Sequence, residues 1–139
     1  MILLDTSAIY ALADRNDRYH ADAKRILAGL AGAGEEFILH SYVMGESAAL
    51  LQARLGRHAA LTFLGEAGAS RLEWIGPDLH DEAVSVLRKL KGEGVGLVDC
   101  VSFAVMRHHG IRKAFSFDRH FVDQGFELAT GRSAKDTED

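Results

Sequence analysis

Four acidic residues stand in unusually apolar company. Asp5 follows Ile2-Leu3-Leu4, Glu46 sits between Val43-Met44 and Ala48-Ala49-Leu50, Asp99 lies between Val98 and Val101, and Asp118 follows Phe117. An ionised carboxylate is rarely buried without compensation, because desolvation costs several kcal/mol or shifts the pKa until the group neutralises. A hard divalent cation is the natural compensation. Magnesium takes oxygen ligands in octahedral geometry, keeps several waters, and leaves positions for a substrate phosphate. Two such ions about 3.5–4 Å apart can activate an attacking water and stabilise the leaving oxygen of an in-line phosphodiester displacement. Hydrolysis of a phosphodiester is therefore the chemistry these acids point to. Each acid alone also has a simpler reading: Asp5 and Asp99 as helix caps or turn formers, and Glu46 as a solvated helix residue.

The surrounding pattern supplies elements to position them. Short apolar runs at Ile2–Leu4, Phe37–Leu39, Leu72–Ile75 and Ala114–Phe117 read as buried strands, with Phe126–Leu128 as a fifth. Between them run helical spacings. Ile9, Tyr10 and Leu12 form one helix, with Thr6 or Ser7 as its N-cap, and Ala23, Ile26, Leu27 and Leu30 form a second. A third carries Val43, Ser47, Leu50, Leu51 and Leu55, stops at Gly56, and places Glu46 on about its first turn. The stretch His58 to Ala69 reads as helical, Asp78 as the cap of a helix through Leu90, and Leu97-Val98-Asp99 as the opening of a helix that ends at Gly110. Strands alternating with helices imply an α/β fold with a mostly parallel sheet covered on both faces. In such sheets ligands bind outside the carboxyl ends of the strands, where these acids are expected.

Composition narrows the class. At 139 residues with 47% hydrophobic content, one core is expected without disulfides or a structural metal, over residues 1–130, with the apolar-poor 131–139 as a disordered tail. The one cysteine, Cys100, and an acid already at position 5 argue against a disulfide scaffold and a signal peptide, so a cytoplasmic location is expected. No window is apolar for long enough to span a bilayer, so no membrane role is expected. The formal charge of -4 makes the chain as a whole a poor electrostatic partner for nucleic acid, although metal ions at clustered acids would invert the local field.

The segments ILLDTSAIYAL, SYVMGESAALL, LVDCVSFAVMRHHGI and AFSFDRHF, in that order, resemble the PIN-domain nucleases, and within them the short single-domain VapC-type toxins. The resemblance spans residues 2 to about 127. It implies a PIN-like three-layer α/β fold with four to five strands, and an endoribonuclease that depends on Mg²⁺ or Mn²⁺. It also implies a toxin that pairs with a small antitoxin protein, forms a homodimer, and acts on RNA. Carried over by motif, Asp5, Glu46, Asp99 and Asp118 are the catalytic and metal-binding acids, while Ser7 and Ser116 are hydroxyls that bind water or a metal-linked oxygen. One position departs from the pattern: some members carry a further acid two residues past the fourth, and here that residue is His120. A single resident ion, with a second recruited by substrate, fits that departure, and no role is expected of His120 itself.

Other residues carry weaker signals. Cys100 reads as a small core residue rather than a nucleophile, and His108-His109 as helix C-terminal residues favoured by the dipole. Of the basic residues Arg15, Arg18, Arg54, Arg57, Arg112, Lys113 and Arg119, the last adjoins Asp118 and is the best candidate for a phosphate contact. No stacking platform for bases is recognisable. An aspartyl-nucleophile phosphatase would need a second Asp where Ser7 stands. The alternative from another class is a catalytically silent RNA- or protein-binding domain with the same fold.

Overall fold

The computed structural model describes residues 1–92 and 94–130, so the expected tail lies outside the described residues. The elements are β1 (Ile2–Leu4), α1 (Thr6–Ala13), α2 (His20–Gly32), β2 (Phe37–His40), α3 (Ser41–Leu55), α4 (Arg57–Ala67), β3 (Arg71–Glu73), α5 (Pro77–Lys89), α6 (Leu97–His109), β4 (Lys113–Phe115), α7 (His120–Asp123) and β5 (Glu127–Leu128). The strands pair in the order β3-β2-β1-β4-β5, and every pair is parallel.

Strand pleating divides the core into two sides. Leu3, Ile38 and Ala114 share a register row and pack with Ala83 of α5 and with Val101, Phe103 and Val105 of α6. Their neighbours Ile2 and Phe115 pack instead with Ala8, Ala11, Ala23 and Ile26 of α1 and α2, while Leu39 joins Val43, Leu51 and Ala60 of α3 and α4. Alternate residues of each strand thus serve opposite faces, as parallel sheets buried on both sides require. The chain moves from β1 outward through β2 and β3, then returns to the other side of β1 with β4 and β5. That reversal opens a crevice at the carboxyl ends of β1 and β4, the place where α/β sheets hold ligands.

Several boundaries differ from the sequence reading for identifiable reasons. The N-cap of α1 is Asp5 rather than Thr6 or Ser7, because Asp5 is extended and its carboxylate accepts from Ser7 N–H. Pro77 occupies the first turn of α5 behind an extended Gly76, which leaves Asp78 inside that turn rather than at the cap. β3 ends at Glu73, and beyond it the Ile75 N–H donates to Ser41 Oγ at 3.0 Å. Glu46, the sixth residue of α3, lies on the second turn, and α7 is a short helix the spacing does not announce.

Fully buried His40 caps α3. Its Nδ1 accepts from Val43 N–H at 3.3 Å, so the proton belongs on Nε2, which donates to Ser102 Oγ at 2.8 Å. Burial pushes the His40 pKa down to about 4. A histidine at 6.5 when unfolded and about 4 when folded contributes stability above pH 6.5 that is lost as pH falls toward 4, about 3 kcal/mol in all. His40→Asn, which keeps a capping acceptor, should be less stable at pH 7. Its further loss of stability between pH 7 and 4.5, measured by urea unfolding, should be about 2 kcal/mol smaller than in the parent chain. Equal losses would contradict a buried neutral His40.

Candidate active site

Asp5 closes β1 and is only 5% exposed. Its Oδ2 accepts from Ser7 Oγ at 2.6 Å, from Ser116 Oγ at 2.7 Å, and from Ser7 N–H at 3.3 Å. Each hydroxyl has one proton to give and gives it here. Their lone pairs receive backbone N–H groups, Phe117 onto Ser7 at 3.0 Å and Asp118 onto Ser116 at 2.9 Å. Burial raises the Asp5 pKa, the two serines oppose that shift, and Asp118 adds to it. All three donors meet Oδ2, and among the described residues none meets Oδ1. Ser7 and Ser116, the two hydroxyls singled out in the sequence, thus both hold the Asp5 carboxylate.

Asp99 occupies the first turn of α6, and its carboxylate accepts from Gly96 N–H at 3.1 Å, a capping contact. Burial raises its pKa to about 6, and the negative charges of Asp5, Asp118 and Glu46 add to the rise while the Gly96 bond opposes it. The four acids singled out in the sequence are therefore brought within electrostatic reach of one another. Glu46 differs in being exposed, at the rim of the group. Its helix is fixed to α1 by a buried contact in which Ser47 Oγ donates to Thr6 Oγ1 at 3.3 Å.

Asp118 and His120 belong together. The His120 N–H donates to Asp118 Oδ1 at 2.9 Å, while His120 Nδ1 lies 2.7 Å from the same oxygen, off the line of a hydrogen bond. Nδ1 is itself buried, with the Asp118 carboxylate as its neighbour. Contact with the Asp118 carboxylate raises the His120 pKa. Phe121, fully buried edge-on to Phe103 at 5.3 Å, pins the short helix, and Gly94 at φ +86 packs on the imidazole, where a Cβ would stand 3.3 Å from Cε1. One ligand atom each of Asp99, Asp118 and His120 lie within 4.8 Å of one another. Two carboxylates and an imidazole are a donor set that fits a divalent cation. The sequence reading assigned His120 nothing; its two-residue spacing from Asp118, which folds back as a tight turn, was the available signal.

The remaining candidates fall outside this group or at its edge. Arg119 is exposed beside Asp118. Cys100 is fully buried, with its thiol pKa raised by burial and by Asp99, as expected of a core residue. His109 pairs with Glu73 at 2.5 Å, far along α6 from Asp99, and has no part in the site.

Asp99 has a pH signature of its own. Because its folded pKa exceeds the unfolded value, the native state holds a proton that the unfolded chain has released between pH 4 and 6, and stability is lost as pH rises through that window. Asp99→Asn removes the charge and keeps an acceptor for Gly96. In chelator at pH 7.5 its melting temperature should be roughly 3–6 °C above that of the parent chain, with the gap about halved at pH 5 and closed below about pH 4. An unchanged or lower melting temperature at pH 7.5 would contradict carboxylate crowding.

Comparison with known proteins bears on the same residues. Residues 2–127 match the PIN domain family. The chain is 34% identical over 128 residues to the 23S rRNA-specific endonuclease VapC20 of Mycobacterium tuberculosis, covering 91% of this chain and 95% of that protein. The crystal structure of VapC20, described as a Sarcin-Ricin loop cleaving toxin, superposes with a TM-score of 0.82 at 32% identity, over 91% of this chain and 96% of that one. PAE2754 from Pyrobaculum aerophilum, at 24% identity and a TM-score of 0.56 over 92% and 88% of the two chains, shares the fold. From the family match over nearly its whole length and the identity to VapC20, the chain belongs to the PIN-domain family.

Proposed function

We propose that this chain is a metal-dependent endoribonuclease, the toxin of a toxin–antitoxin pair, with ribosomal RNA as its substrate class. The observation that carries the reading is the gathering of Asp5, Asp99, Asp118 and Glu46 at the crevice between β1 and β4, in a chain 34% identical to a 23S rRNA-specific endonuclease. Asp5, Asp99 and Asp118, with Glu46 at the rim, hold Mg²⁺ or Mn²⁺, and His120 adds a nitrogen where some relatives have an acid. A single resident ion suits this donor set, with a second arriving with the substrate. When bound, a divalent cation lowers the pKa of water and screens charge on a phosphate. Ser7 and Ser116 keep Asp5 in one orientation by occupying Oδ2, and Gly96 does the same for Asp99. Arg119 stands beside Asp118 to meet the substrate phosphate.

The partners follow from the same reading: an antitoxin protein and a second copy of the chain. Exposed Leu61 and Leu64 on α4, and Trp74 at 71% exposure, are apolar surface of the kind protein partners cover. Among the described residues no helix is long and apolar enough to cross a membrane. The cytoplasm is the compartment proposed.

Purified protein offered a panel of ribosomal and transfer RNAs should cut with Mg²⁺ or Mn²⁺ and not in chelator. Asp99→Asn should be inert, and Ser116→Ala, which keeps every metal-binding acid, should lose about 10–100-fold in activity. Equal traces from the parent chain and Asp99→Asn would contradict the assignment, and RNA binding without any cutting would favour a silent binding domain.

A further inference from the structure

Beside the acids lies a cleft of about 510 Å³, lined by Ser7 and Asp118 on its inner side and by Tyr10, Arg18, Arg54 and Phe117 farther out. The ring of Tyr19 stacks on Phe117, the residue preceding Asp118, with centroids 4.4 Å apart and planes 5° from parallel. The Arg18 guanidinium carbon lies over the same Tyr19 ring, 4.5 Å from its centroid. Tyr19 thus touches both Phe117 and the planar head of an exposed arginine.

The turn that carries Arg18 is held before any ligand arrives. Asp14 accepts from Asn16 N–H at 2.9 Å and from Tyr10 Oη at 2.5 Å, and Asp17 accepts from Tyr19 N–H at 3.0 Å. Within the same cleft Arg54 sits over the Tyr10 ring at 5.2 Å, and Arg119 adds a third exposed guanidinium. Three guanidiniums therefore share one cleft with the carboxylates of Asp17 and Asp118. Planar cations backed by aromatic rings recognise unpaired bases by stacking, and flanking guanidiniums take the phosphates on either side.

We infer that this cleft is a nucleotide-binding subsite, in which an unpaired base flanking the scissile phosphate stacks on the Arg18 plane while Arg54 holds an adjacent phosphate. The inference rests on the endoribonuclease reading for the position of the scissile bond. It makes Arg18 a specificity-determining residue and makes splayed, single-stranded RNA the form that is recognised. Tyr19 and Phe117 act through Arg18, as the support that fixes its plane.

The test is a set of RNAs carrying the sarcin-ricin loop, in which each loop nucleotide is replaced in turn by an abasic one. Binding is measured on Asp99→Asn protein, and kcat and KM on the parent chain, each with and without Arg18→Ala or Arg18→Lys. Both substitutions are at an exposed side chain. One flanking position should exist at which base removal weakens binding about tenfold with Arg18 present and less than about twofold in either variant. Lysine keeps the charge but not the plane, so Arg18→Lys should lose this discrimination like Arg18→Ala, with KM raised and kcat near that of the parent chain. Abasic penalties identical with and without Arg18, or fully retained in Arg18→Lys, would overturn the subsite. The binding arm reads the subsite without turnover, so a parent chain that cuts no RNA counts against the nuclease reading alone.

Discussion

The carboxylate of Asp5 is nearly buried at the end of the central strand, and two serine hydroxyls plus one backbone N–H converge on one of its oxygens. One of those hydroxyls is local, from Ser7, and the other arrives from Ser116 through the parallel pairing of β1 with β4. The same pairing lays Asp118 next to Asp5, and α6, packed across that face of the sheet, delivers Asp99 by its N-terminus. Like charges brought this close add to the raised pKa values of Asp5 and Asp99 and oppose folding of the metal-free chain. The sheet and its two apolar sides therefore hold together a group that left alone would separate. A cation bound among them would turn that crowding into affinity.

Much of this was legible in the sequence, because Asp5 and Asp118 directly follow apolar runs and Asp99 opens an apolar helix. Short runs bounded by Gly and Pro marked all five strands and six of the seven helices to within a few residues. What could not be read was pairing at a distance. His40 with Ser102 spans 62 positions and Ser116 with Asp5 spans 111, and nothing in either residue's neighbours announces the other. The strand order was equally hidden, since apolar runs carry no record of which run lies beside which.

Single residues were misread where a local rule met a tertiary demand. Asp5, Thr6 and Ser7 are all residue types that cap helices, and only the structure shows that Asp5 is the extended one, with Ser7 as its donor. His120 reads as a substituted acid in the motif pattern, and only the turn from Asp118 brings its ring beside Asp99 and Asp118. The Phe117–Tyr19 stack joins two segments from opposite ends of the chain, so no stretch of sequence contains the platform. These misses cluster at the acid site and its cleft, where local preference and function most often disagree.

Isothermal titration of Mn²⁺ into the chelator-treated chain tests the central claim most directly, because it reads the acids as a cation site without reference to any substrate. The account predicts a single resident site whose affinity falls about tenfold or more in each of Asp5→Asn, Asp99→Asn and Asp118→Asn, and less in Glu46→Gln at the rim. Binding unchanged in Asp5→Asn and Asp99→Asn would contradict it, and would return the four carboxylates to caps and turns.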